Sequence, residues 1–260
     1  MTSKEVGEMH EYLVGFDKYT KNLPIYLESP LSIDEADRIR KIIELNRNRD
    51  VDYFKLPGSQ EEYRGRSKFD PRIMTHISRQ VIDFSCPPDI EQKLDSIIKP
   101  LYKEDIKLCH YNYIDYNPKY GDGKFAPALP PHIDTAETPL TFNYQIGGNI
   151  DWEIFIEDKP YSLKTGDAII FSSLNQVHWR PKRKWKDGDF VEILTMNWSP
   201  LTTWALTGKI DPIDPVRFPE KLKEYSEKLS QRPEFQKAWN IYNNMGQEIG
   251  IPFDKHGELE

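Results

Sequence analysis

The chain has 260 residues, 38% hydrophobic and 12% aromatic, enough to bury a substantial core in one domain with decorated ends and too much for long disorder. A net charge of −7 and a pI near 5.5 argue against a general nucleic-acid-binding surface, which needs clustered positive charge. No apolar run is long enough to span a bilayer, and the segment from Met1 to Glu8 carries no signal-peptide pattern, so a cytoplasmic location is expected.

Residues 1–30 read as an extended lead-in with apolar islands at Tyr12–Phe16 and Ile25–Leu27. A helix is predicted from Ser32 to about Asn46. Ser32 and Glu35 form a capping box, Asp34 and Glu35 favour the positive end of the helix dipole, and Ile33, Ala36, Ile39, Ile42 and Ile43 make the apolar face. Residues 51–72, punctuated by Pro57, Gly58 and Pro71, read as loop, with Tyr63, Arg64, Arg66 and Lys68 on its surface. Helices are predicted at 73–84 and 88–99, the second entered through Pro87-Pro88-Asp89 and stopped near Pro100. Cys86 and Cys109 make neither a disulfide framework nor a Cys-based metal spacing, which fits a reducing compartment.

A strand at 106–116 leads into a turn-rich loop, and Pro127, Pro130 and Pro131 stiffen the approach to His132. In the strand at 140–146, Leu140, Phe142, Tyr144 and Ile146 share one face and Thr141, Asn143 and Gln145 the other. With the apolar face against the helices, Asn143 lines the interior; Gln145 is assigned to water. Trp152–Ile156 and Ala168–Phe171 are further strands, the latter opened by the turn Lys164-Thr165-Gly166-Asp167. The basic run Trp179–Lys186 is either a solvated hairpin tip or an anion-receiving rim. After Pro200 the pattern becomes helical again, at about 216–230 and 233–247.

The chemistry concentrates between Pro130 and Trp185. His132 and Asp134, two residues apart in an extended segment, project to the same side and can present both groups to one metal ion. His178, 44 residues after Asp134, can return on a neighbouring strand. Two imidazoles and one carboxylate on one face of an ion make the facial triad of non-haem Fe(II) oxygenases, which leaves three positions open. His-x-Asp by itself is common, so the strands between the two histidines, closed by tight turns as a small barrel requires, carry this inference. His10, His76, His110 and His256 are taken as structural.

The order Tyr111-Asn112-Tyr113-Ile114-Asp115-Tyr116, then His132-x-Asp134, then Gly166-Asp167-Ala168-Ile169-Ile170-Phe171, then His178 resembles the Fe(II)- and 2-oxoglutarate-dependent dioxygenases, and within them the prolyl-4-hydroxylase-like branch. The likeness covers residues 30–200 in pattern and 111–180 in specific residues. It implies an α+β fold with a double-stranded β-helix core, a cupin-like jelly roll, covered by N-terminal and C-terminal helices. That makes one domain over 1–260, with a helical and extended part at 1–105, the core at 106–200 and a helical extension at 201–260. It further implies Fe(II) held by His132, Asp134 and His178, 2-oxoglutarate and O2 as co-substrates, and hydroxylation of a C–H bond with release of succinate and CO2. A peptide, amino acid or other small molecule is the expected substrate, with neither membrane nor nucleic acid as partner, and the oligomeric state is left open.

The chain departs from that family at one point. A basic residue about ten positions after the second His, on the last core strand, pairs with the far carboxylate of 2-oxoglutarate in the family, and here Asp189–Trp198 contains no Lys or Arg. Arg180 is the first replacement and Arg183 the second, with Tyr113 and Asn143 as further hydrogen-bond donors, because a planar guanidinium grips a carboxylate bidentately. Two other functions stay open: a non-oxidative cupin-like metal or small-ligand binder, and a nucleic-acid base or alkyl-lesion hydroxylase that binds through the 179–186 patch.

Overall fold

The computed structural model describes residues 23–47, 79–102, 105–121, 127, 129–132, 140–173, 176–181 and 183–200. Two helices stand in this part of the chain, α1 at Ile33–Arg47 and α2 at Pro88–Ile98, the latter followed by a 3-10 turn at Lys99–Leu101. The strands are β1 (Ile25–Leu27), β2 (Arg79–Asp83), β3 (Ile106–Tyr116), β4 (Leu129–His132), β5 (Leu140–Gly148), β6 (Ile154–Ile156), β7 (Lys159–Tyr161), β8 (Ala168–Phe171), β9 (His178–Arg180) and β10 (Val191–Pro200). They pair into a six-stranded sheet of order β1-β8-β5-β10-β3-β2 and a four-stranded sheet of order β4-β9-β6-β7. Every pairing is antiparallel.

Helix α1 starts where its cap demands. The amide of Ser32 donates to Glu35 Oε2 at 2.7 Å and the amide of Glu35 donates to Ser32 Oγ at 3.2 Å, so two amides that the helix leaves unpaired are satisfied reciprocally. Helix α2 opens on Pro88, whose missing N–H is no loss at that position, and a 3-10 turn containing Pro100 closes it. The helices are tied to each other by Arg38–Asp89 and Lys93–Glu35, both at 2.6 Å.

Both helices lie against the outer face of the six-stranded sheet. Ala36, Ile39 and Ile43 of α1 and Ile90, Leu94 and Ile98 of α2 pack with Leu140, Phe142, Tyr144 and Ile146 of β5 and with Leu194, Met196 and Trp198 of β10. Each fully buried aliphatic side chain here is worth about 1.5–3 kcal/mol. Ile33, assigned to the apolar face from its spacing, is 78% exposed because it occupies the flank of the first turn, off the stripe through 36, 39 and 43.

Between the sheets lie two further clusters. One joins Ile114, Tyr116, Leu129, Trp152, Trp185, Val191 and Ile193; the other joins Ile154, Ile156, Leu163, Ile169 and Phe171. Helices on one face of a two-sheet jelly roll give the α+β double-stranded β-helix expected from the sequence.

One element differs. The helix predicted at 73–84 is, where described, the strand β2, which pairs with β3 from Arg79 opposite Tyr116 to Asp83 opposite Asn112. The β-branched Val81 and Ile82 suit an edge strand, and pairing with β3 outweighs the local helical pattern. The loop at 51–72, residues 73–78 and the helices predicted at 216–230 and 233–247 lie outside the described residues.

Candidate active site

Strand β9 is three residues long and carries two of the predicted site residues. His178 and Arg180, two apart, fall on one face and are 4% and 2% exposed, while Trp179 points the other way and stacks on Phe155 of β6 at 5.0 Å. The antiparallel register sets His132 of β4 directly opposite His178, and Leu129 opposite Arg180. Directly opposed residues of an antiparallel pair have Cβ atoms about 4.5–5.5 Å apart, so the register puts positions 132 and 178 side by side. Asp134 lies outside the described residues. Among the described residues no group of three His, Cys, Asp or Glu side chains converges to hold a metal.

The imidazole of His178 is oriented from behind. Its Nδ1 sits 3.1 Å from the carbonyl oxygen of Gln176, which fits an N–H at Nδ1 and leaves Nε2 as the ligating nitrogen. Gln176 is in turn clamped: its Oε1 accepts from the amide of Ser172 at 2.9 Å, and its Nε2 donates to the carbonyl of Leu23 at 3.2 Å. The ring of Phe171 lies 4.8 Å from that of His178 and forms an apolar wall beside it.

Arg180 is a cation in an apolar cluster. Its Nη1 donates to the carbonyl of Trp152, and Cζ lies 5.2 Å from the centroid of the Trp152 ring. Nε and Nη2 are buried and have no hydrogen-bond partner. Burial pulls its pKa down to about 10, which still leaves it charged near neutrality. A buried guanidinium with two donors unpaired is unfavourable, and a carboxylate is an acceptor that would relieve it. Nε–H and Nη2–H lie along one edge and form the side-on fork that takes a carboxylate bidentately.

On β5 the polar face does turn inward. Thr141, Asn143 and Gln145 are all buried, and the Oδ1 of Asn143 and Oε1 of Gln145 have no partner. Gln145, assigned to water from the sequence, is 4% exposed: the interior between two sheets closes over it. Asn143 stands opposite Ile169 of β8 and Thr195 of β10, and next to it Asn197 Nδ2 donates to Thr141 Oγ1 at 2.8 Å.

Tyr113 and Arg183 are not brought to this set. Tyr113 belongs to the cluster beneath the helices, on the outer face of the large sheet, and its hydroxyl donates to Glu192. Arg183 donates to the carbonyl of Asp151, with Cζ 5.8 Å from the Trp185 ring, which pins it at the rim. Nor is the 179–186 run a continuous cationic surface, since Trp179, Arg180 and Trp185 are all buried. Trp152 and Gln176 act through main-chain carbonyls, which no residue pattern announces. Gln176, two before a predicted ligand, is the one that spacing could have found.

No family model matches the sequence, and no curated protein matches it. In fold the chain is similar to the crystal structure of the non-heme alpha ketoglutarate dependent epimerase SnoN from nogalamycin biosynthesis, with a TM-score of 0.51 and 11% identity over 75% of this chain and 84% of that one. SnoN in complex with Fe3+, alpha ketoglutarate and nogalamycin RO gives 0.51 at 10% identity, over 75% and 85%. A prolyl hydroxylase from Trichoplax adhaerens, in complex with a hypoxia inducible factor oxygen degradation domain peptide fragment, gives 0.50 at 10% identity, over 81% and 98%. At such identities the likeness is one of fold.

Proposed function

We propose that the protein is an Fe(II)- and 2-oxoglutarate-dependent oxygenase that hydroxylates a C–H bond of a peptide, amino acid or other small substrate. The observation that supports this reading is the buried Arg180 guanidinium, whose Nε and Nη2 have no hydrogen-bond partner, on the same face of β9 as His178. The resemblance in motif order and the shared fold support it.

His132 and His178, opposed across β4 and β9, with Asp134 two residues on, would hold the iron, and Arg180 would hold the far carboxylate of 2-oxoglutarate. Bound together, iron, 2-oxoglutarate and O2 supply an oxidant for an unactivated C–H bond, with succinate and CO2 released. The Gln176 carbonyl keeps the Nδ1 proton of His178 away from the metal side. Phe171, Ile169, Ile154 and Ile156 exclude water from the interior beside it. Asn143, buried on the inner face of β5, has an amide suited to a hydrogen bond with the co-substrate.

The test is 2-oxoglutarate turnover. Iron-loaded wild-type protein is expected to form succinate at a low uncoupled rate without the true substrate, and Asp134→Ala and His178→Ala are each expected to abolish it while the far-ultraviolet circular dichroism stays unchanged. Near-full succinate formation by either variant would show the ligand set to be misassigned. Iron binding with no turnover in the wild type would favour a cupin-like binder.

A further inference from the structure

One residue holds Arg180 in two ways. Trp152 accepts from Nη1 through its carbonyl and lays its ring against Cζ. The indole is itself fixed on three sides. Its Nε1 donates to the carbonyl of Pro181 at 2.7 Å, the Tyr116 ring meets it at 5.1 Å and 82°, and the Trp185 ring meets it at 4.9 Å and 84°. Pro181 directly follows Arg180, so the same indole also fixes the backbone beyond β9. An arginine side chain turns about several bonds, and among the described residues the hydrogen bond to the Trp152 carbonyl is the one that holds its head, since Nε and Nη2 have no partner. With Nη1 tied to the carbonyl and the plane set against the ring, the edge left over is the fork.

We propose that Trp152 is the positioning residue of the far-carboxylate site: by fixing the Arg180 guanidinium it keeps the Nε/Nη2 edge presented, and so selects 2-oxo acids that carry a second carboxylate. This rests on Arg180 being the carboxylate's partner. Without Trp152 the guanidinium is still present but samples orientations in which the fork is turned away. Affinity for the second carboxylate then falls, and affinity for the keto-acid end does not.

The experiment is calorimetric titration of Mn(II)-loaded protein, free of oxygen, with 2-oxoglutarate and with 2-oxopentanoate, which has the same carbon chain and no far carboxylate. Wild type is expected to prefer 2-oxoglutarate by about 10–100-fold, as charge-assisted hydrogen bonds do. Arg180→Leu should erase the preference. Trp152→Leu should cut it by about tenfold with the Kd for 2-oxopentanoate unchanged. Trp152→Phe keeps an aromatic face without the Pro181 anchor and should lose about threefold, which carries the test if the leucine variant does not fold. Adding Trp152→Leu to Arg180→Leu should change nothing further. A full preference in the Trp152 variants, or an equal loss for both acids, overturns the proposal and leaves Arg180 standing. A wild type without preference overturns the assignment of Arg180 itself.

Discussion

Arg180 is buried as a cation, and burial disfavours its charged form. Its folded pKa is about 10 and desolvation is the first cause, against an ordinary value of 12.5. Between those two values the unfolded chain binds more protons than the folded one, so stability rises with pH in that window, and below it the buried charge is carried at a loss. A bound carboxylate favours the charged form. The preference for 2-oxoglutarate over 2-oxopentanoate is therefore expected to be level from about pH 7 to 9 and to fall as pH rises through about 10, the ratio of the two affinities cancelling any change at the metal. A preference unchanged to about pH 11 would mean that Arg180 does not touch the far carboxylate. At this scale the sequence was legible where a residue's placement follows from strand alternation, as for His178 and Arg180, buried two apart on one face of β9. It was illegible where the question is which of two faces is inside: alternation divides β3 and β5 into faces but does not say that Tyr113 goes under the helices or that Gln145 is sealed between the sheets.

Among the elements, α1 shows how a few residues settle a boundary. Ser32 and Glu35 satisfy each other's amides, and Glu35 also receives Lys93 from α2, which with Ser32 holds its carboxyl below the usual range. Ser32→Ala should destabilise the fold by about 1 kcal/mol and lower Tm by about 2–4 °C, read by thermal denaturation. No change in Tm would mean the cap is replaced by solvent at no loss. Helix starts of this kind are written in three or four consecutive residues, and so were legible. Strand β2 was not, because what makes it a strand is the free edge of β3, which residues 79–83 meet across more than 25 intervening positions of chain. Local pattern holds no record of an edge waiting to be paired.

In the whole molecule the large sheet separates two interiors. Its helix side carries most of the apolar burial, and its other side carries the site. Leu94→Ala, at the fully buried centre of the helix side, should destabilise by about 2–5 kcal/mol and yet leave the Kd for 2-oxoglutarate unchanged. A parallel loss of affinity would mean that the two sides are coupled through the sheet. The double-stranded β-helix was legible because core strands such as β3, β5 and β8 announce themselves by alternation or apolar runs, with Gly166 marking the turn into β8. The interior chemistry was legible only in part, since the carbonyls of Trp152 and Gln176 are presented by the fold and not by the side chains that name them.

His178 and Arg180 share one short strand, and in the proposed site that sets a limit on how the spacing between the metal end and the carboxylate end can vary. Two residues of strand rise about 6.6 Å, and adding one residue would turn the guanidinium to the far side of the sheet. The spacing therefore has no intermediate settings. A version of this protein adapted to a longer or shorter diacid would have to move its basic residue by a whole pleat, or supply it from a different strand.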